Sequence, residues 1–234
     1  MKASPLQASF SAGELGPMLE GRVDLEEYAS GVKRCENFVP TIQGPAVRRG
    51  GTRFVKEVKA SANRTWLVKF QFNVEQAYTL EFGDLYVRFF LNHGALLETG
   101  LAITGVTQAN PGVLTYTGTD PSNGDEMFLS GIGGMTQLNS RFVKVVNVNA
   151  GANTFELDEI DGTNINTTSY GAYTSGGTAA RVYTVTTPYA VADLTDADGN
   201  FRLRFVQSGD VIYMVHPSYA PRKLSRVGAT NWTV

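Results

Sequence analysis

Cysteine is almost missing from this 234-residue chain: Cys35 stands alone, so no intrachain disulfide can staple the fold. Histidine is nearly as scarce. His93 and His216 are the only two, and neither has a second His, a Cys or clustered carboxylates at ligand spacing, which argues against a zinc site. Nor is there a run of about eighteen apolar residues, the minimum for a membrane-spanning helix. The opening MKASPLQASF lacks the uninterrupted apolar stretch of a secretory signal, so export by that route is not expected. Charge is sparse at 18%, yet 42% of the residues are hydrophobic, enough for a packed core and too much for wholesale disorder.

The familiar chemical motifs are also missing. No GxSxG, Walker-type GxxxxGK[ST] or helix-opening GxGxxG occurs, and Gly131-Ile-Gly133-Gly134 precedes a polar run among strand-like segments. Cys35 lies in VKRCENF, where Lys33 and Arg34 favour a thiolate, but no signature of a partner histidine accompanies it; a small packed side chain is expected. Asp196, Asp198 and Asn200 alternate as in a calcium loop, but Phe201 stands where that loop needs glycine and Gln207 where it needs glutamate, so a plain turn is expected. Asp158, Glu159 and Asp161 read as a solvated acidic turn. These residues predict no enzyme, no metal and no cofactor.

What the chain does contain points to strands. Twenty-five glycines, abundant Thr, Asn and Ser, and 11% aromatics favour turns and sheets over helices. Residues 1–64 are punctuated from Pro5 to Gly51 by Gly and Pro and read as an extended arm, with one short helix within Val23–Lys33, ending near Gly31, where Asp24 and Glu27 have capping-box spacing. From Thr65 to Leu91 the apolar residues alternate, predicting a three-stranded meander with turns at Asn73–Gln76 and at Gly83-Asp84, glycine leading the second. Short runs follow at Ala102–Val106, Val113–Tyr116, Met127–Leu129, Phe142–Val148, Thr154–Leu157 and Ala179–Val185, spaced as in a small barrel or sandwich. Alternation returns at Phe201–Phe205 and Val211–Val215, a strand pair expected to rejoin the first sheet.

Charge divides along the same lines. Residues 1–90 carry 12 basic against 10 acidic side chains, residues 91–187 carry 3 against 8, and residues 188–234 carry 5 against 4. The reading is therefore all-β: an arm (1–64), a discontinuous antiparallel domain (65–96 and 188–234), and an inserted acidic module (97–187). Between Lys33 and Lys69, nine basic residues meet only Glu36 and Glu57, a positive stretch that suits either an acidic partner or a solvated face.

Ser9–Val55, SFSAGELGPMLEGRVDLEEYASGVKRCENFVPTIQGPAVRRGGTRFV, resembles the amino-terminal signature of a phage virion family, the tail nozzle or tail tubular protein B of short-tailed phages. The Gly-Glu-Leu-x-Pro element matches at Gly13–Pro17, Gly-Arg-x-Asp at Gly21–Asp24, Cys-x-Asn-Phe at Cys35–Phe38, and the arginine motif at Arg48–Phe54, with Gly50 where proline is common. The closing FVQSGDVIYMVHPSYAPRKLSRVGATNWTV is similar to a later element of the same family. Within the insert, GGMTQLNSRFVKV resembles the non-catalytic barrel of the first catalytic cysteine half-domain of ubiquitin-activating enzymes, a likeness of fold without ubiquitin chemistry.

The first resemblance implies a structural virion protein of the tail, made in the host bacterial cytoplasm. Its partners would be further copies in a hexameric ring, the portal and adaptor, other tail proteins, and DNA in transit without sequence-specific binding. It also implies a propeller-like nozzle platform and a chain that continues beyond Val234. Arm side chains expected at subunit interfaces are Phe10, Leu15, Tyr28, Phe38, Arg48 and Arg49. A second reading makes the insert a receptor- or glycan-binding module, with Tyr170, Tyr173 and Tyr183 stacking on sugars.

Overall fold

The computed structural model describes residues 6–234, so Pro5 lies outside the described residues. The chain is nearly all β and divides into two compact units, Met1–Phe54 and Val55–Val234. In the first, β1 (Gly13–Glu14) pairs in parallel with β2 (Gly31–Val32), and β3 (Phe38–Pro40) forms a hairpin with β4 (Ala46–Arg48). Gly31 permits the parallel contact: a Cβ there would lie 2.4 Å from Leu15 Cδ1.

The helix expected within Val23–Lys33 is reduced to a 3-10 turn, Glu26–Ser30. Its intended cap is already engaged, because Arg22 donates two hydrogen bonds to the Asp24 carboxylate at 2.7 and 2.6 Å. The cap position of the turn is taken by Leu25, which has no side-chain acceptor, so Asp24 stands one residue too early to cap it. The segment then enters β2 at Gly31, leaving no length for an α-helix.

The second unit opens with the expected meander: β5 (Trp66–Gln71), β6 (Ala77–Gly83) and β7 (Tyr86–Leu91), all antiparallel. Asn73 closes the first turn, its Oδ1 accepting the Glu75 and Gln76 N–H groups. The second turn differs from expectation. Gly83 is the last residue of β6, paired with Tyr86, and the loop is Asp84-Leu85 with Leu85 at φ +62°. Glycine is required at 83 for another reason: the Tyr86 ring crosses it, and a Cβ would lie 2.3 Å from Tyr86 Cζ.

After the short β8 (Gly94–Ala95), six strands close a barrel. They are β9 (Leu101–Val106), β10 (Val113–Thr117), β11 (Glu126–Ser130), β12 (Arg141–Asn149), β13 (Thr154–Asp158) and β14 (Thr178–Arg181). Their order is β10-β13-β12-β11-β14-β9, with β9 returning to β10. Closure satisfies every edge, so the barrel presents no unpaired ladder. Leu114, Tyr116, Leu129, Val143, Val145, Phe155 and Leu157 fill its interior.

The run Ala179–Val185, expected as one strand, splits. Val182 makes an isolated bridge to Leu97, and β15 (Thr184–Thr186) joins β7 of the meander. Thus β15 extends the first sheet. The strands expected to do so form a separate sheet instead: β16 (Arg204–Ser208), β17 (Val211–His216), β18 (Tyr219–Gly228) and β19 (Asn231–Thr233), in chain order.

The two sheets enclose one core. Phe70, Tyr78 and Phe89 surround Trp232 with ring centroids 4.5–5.4 Å from the indole, and Ile212, Met214 and Leu224 complete the layer. Gln207 secures the sheet edge by mimicking a strand: its amide accepts the Gln71 N–H at 3.0 Å and donates to the Gln71 carbonyl at 2.7 Å. A turn at Asp196–Asn200 closes when Asp196 Oδ1 accepts the Asp198 and Asn200 N–H groups. The one α-helix among the described residues, α1 (Val191–Leu194), connects the sheets.

On its other face the meander carries charge. Arg88 and Glu81 are register partners and almost completely buried. Arg88 Nη2 donates to Glu126 Oε1 on the barrel strand β11 at 2.6 Å, and the other oxygen of Glu126 pairs with Lys56. Glu81 accepts a short hydrogen bond from Tyr86. Burial lowers the Lys56 pKa against the attraction of Glu126, and burial with the Glu81 bond raises that of Tyr86. Removing one member of such a set strands the others in low dielectric. Glu126→Gln is therefore expected to cost about 3–5 kcal/mol, read as a lowered urea midpoint, whereas replacing Lys56, Arg88 and Glu126 together by methionine costs less.

A second buried carboxyl lies opposite Lys144 in the strand register without forming an ion pair with it. Asp158 ends β13 with Oδ1 unpartnered, and burial raises its pKa above the usual 3.8, countered by Lys144 and reinforced by Glu156 and Asp161. A carboxyl whose pKa rises on folding favours the fold fully below its unfolded value; that contribution is lost as pH climbs through the folded value. Asp158→Asn is expected to raise the thermal midpoint at neutral pH and to lose that advantage below pH 3.8, measured as midpoints across a pH series.

Candidate assembly interface

Exposed apolar surface is unevenly distributed. In the first unit only Gly13 and Gly44 are buried among the described residues; no side chain larger than hydrogen is. Leu6, Met18, Val23, Phe38, Val39, Ile42, Val47 and Phe54 are all exposed, Met18 at 95% and Ile42 at 94%. A segment of this size without an apolar core has little to set against the entropy of ordering it. Hydrogen bonds hold its shape instead: Phe10 N–H donates to Gly44 O at 2.7 Å, Leu15 N–H to Val32 O at 3.0 Å, and Cys35 N–H to Glu14 Oε2 at 2.8 Å.

The six side chains nominated from the sequence fall into two groups. Phe38, Arg48 and Arg49 come together on the β3–β4 hairpin, Phe38 opposite Arg48 in register. Phe38 is 51% exposed. Arg49 donates to Asn37 Oδ1 through Nε and Nη2 at 3.3 and 3.2 Å, and its N–H bonds the Asn37 carbonyl. A notch of about 410 Å³ lies between Asn37, Arg48, Arg49, Gly50 and Gly51. Phe10, Leu15 and Tyr28 are half-buried and belong to the internal framework; the Tyr28 hydroxyl accepts the Gly21 N–H at 3.4 Å.

Sequence reasoning passed over Met18, Val39, Ile42 and Val47, which lie near glycine and proline without periodicity. It also passed over the outer face of the second sheet, where Val206 is 63%, Tyr213 48%, Val215 48% and Val227 66% exposed. A signal was present there. Val211–His216 is apolar at both parities, Ile212 and Met214 facing the core while Tyr213 and Val215 face outward.

The barrel contrasts with both regions: no large exposed apolar side chain occurs between Leu85 and Phe205. Of the three nominated tyrosines, Tyr170 and Tyr173 pack against the barrel core and Tyr183 against the core shared by the two sheets. Tyr170 accepts from Arg141, Tyr173 donates toward the Ile103 and Gly176 carbonyls, and Tyr183 accepts the Trp232 N–H. None offers a free ring and hydroxyl for stacking on a sugar. Beside the barrel, a cavity of about 240 Å³ is lined by Lys59, Arg88 and Arg181 and by Glu98, Asp125 and Glu126. These charges are largely matched internally, Arg181 bonding both Glu98 and Asp125, although Arg88 Nε and Nη1 have no protein partner.

Among the described residues no group of three His, Cys, Asp or Glu side chains is placed to hold a metal, and no helix is long and apolar enough to cross a membrane. No model of a known protein family matches the chain, and no curated protein matches it. The phage-tail resemblance thus rests on the quoted motifs themselves.

Because Phe38 and Val47 touch no core, Phe38→Ser with Val47→Ser is expected to leave the unfolding free energy of the isolated chain, read from a urea titration, within about 1 kcal/mol of the parent. A larger loss would show that the hairpin is part of the chain's own packing.

Proposed function

We propose that the protein is a structural virion component, a ring-forming subunit of the tail nozzle of a short-tailed phage, contacting the portal and adaptor and bordering the DNA exit path. The observation that carries this reading is the segregation of exposed apolar surface. The arm, the meander at Leu67 and Val74, and the last sheet retain large uncovered apolar side chains, while the barrel presents none. Uncovered apolar patches of this kind mark association surfaces. The arm's motifs, from Gly13–Pro17 through Arg48–Phe54, supply the family.

On this reading the barrel projects from the ring or faces the channel. With 3 basic against 8 acidic residues over 91–187, it would repel DNA phosphate and keep a passing genome from adhering. A glycan-binding insert is the weaker alternative, since the tyrosines proposed for it are engaged internally.

Negative-stain electron microscopy of the purified protein, alone and mixed with the adaptor complex of its phage, tests the proposal. Closed rings, or density added at the adaptor tip, are expected. Dispersed monomers that ignore the adaptor would overturn it.

A further inference from the structure

The outer face of the second sheet has a definite chemical character. Strand register places Val206 beside Tyr213 and Tyr213 beside Lys223, with Val215 beside Arg204. The result is an apolar patch flanked by two cations. Arg204 and Lys223 are both exposed and have no acidic partner among the described residues. Asp210 sits in the β16–β17 turn, and Asp196 lines a pocket with Arg204 and Val215 without pairing with that guanidinium. Strand spacing puts the two cations roughly 12 Å apart at Cα, on opposite sides of Tyr213.

The arm contains the complementary pattern. Between Pro17 and Ser30, Met18 and Val23 are 95% and 78% exposed. Glu26 and Glu27 are exposed, and neither forms an ion pair among the described residues, whereas Glu20 is paired with Lys33 and Asp24 with Arg22. The other apolar part of the arm, the β3–β4 hairpin, ends in Arg48 and Arg49 and would meet the cations of the sheet with like charge. Charge thus selects one segment of the arm over the other.

We infer that the Pro17–Ser30 segment of one copy docks on the Val206–Tyr213–Val215 face of a second copy, Met18 and Val23 covering the apolar patch and Glu26 and Glu27 meeting Arg204 and Lys223. This rests on the ring-forming reading and names the surfaces that would join its subunits. Tyr213 is the central anchor, since tyrosines at the centre of a patch are among the residues that carry most interface energy. The charges fix register and partner more than they add affinity. A head-to-tail contact between two different surfaces can close a ring, as a self-complementary one cannot.

The test is sedimentation of the whole chain over a concentration series. Tyr213→Ser and Lys223→Glu are each expected to weaken self-association roughly tenfold, and Glu27→Lys is expected to restore much of the Lys223→Glu loss. Unchanged urea midpoints for all three confirm that folding is unaffected. Disulfide trapping adds a positional readout that spares the anchor: in a Cys35→Ser background, Val23→Cys with Val206→Cys, the register neighbour of Tyr213, is expected to give covalent multimers, while either cysteine alone gives none beyond dimer. Self-association insensitive to these changes would overturn the docking surface and leave the ring reading standing. A chain that stays monomeric at every concentration would overturn the docking surface, and the adaptor mixture then decides the ring reading separately.

Discussion

The buried pairing of Glu126 with Arg88 and Lys56 is the constraint on which the second unit depends. Its members come from the segment before β5, from β7 and from the first residue of β11, separated by 70 and 38 positions from the shared carboxylate. Each is nearly inaccessible. A charge in such surroundings is tolerated only beside its counter-charge, so the barrel cannot shift against the meander without stranding one. The apolar layers on either side determine that the modules fold; the ion cluster determines how they meet.

Two cores flank this polar seam. The barrel core is enclosed by its own six strands, and its edges vanish on closure. The other core is shared between two open sheets around Trp232, and it covers only one face of the second sheet. That difference has a direct consequence at the surface. A closed barrel completes itself, whereas a half-covered sheet and a coreless arm leave apolar area uncovered. The proposed assembly role follows from this asymmetry.

Much of the fold is legible because the strands are patterned by one-sided burial. Alternation at Val68 and Phe70, and at Tyr78, Leu80 and Phe82, reports the face turned to the core, and it marks β5 and β6 almost to the residue. Turns were less legible. Gly83 reads as a hairpin residue, but its small size serves the Tyr86 ring instead, a contact that no local pattern announces. Similarly, Asp24 has the spacing of a cap, yet the turn takes Leu25 as its cap and Arg22 takes the Asp24 carboxylate. In the Ala179–Val185 run the apolar pattern is continuous while the partner strand changes from β11 to β7. Within the candidate interface, Phe38, Arg48 and Arg49 were found through their motifs; Tyr213 and Val215 were not, because an apolar residue facing solvent looks in sequence like one facing a core.

By itself the sequence determined the all-β character, the positions of most strands and the acidity of the middle segment, since each depends on local composition and period. Only the tertiary structure decided that the last strands form a second sheet facing the first, that Thr184–Thr186 returns to the meander, and that Lys56, Arg88 and Glu126 share one buried site. Those outcomes turn on which surfaces meet across long stretches of chain. Period along a strand encodes which face is apolar, and it carries no information about what that face will touch.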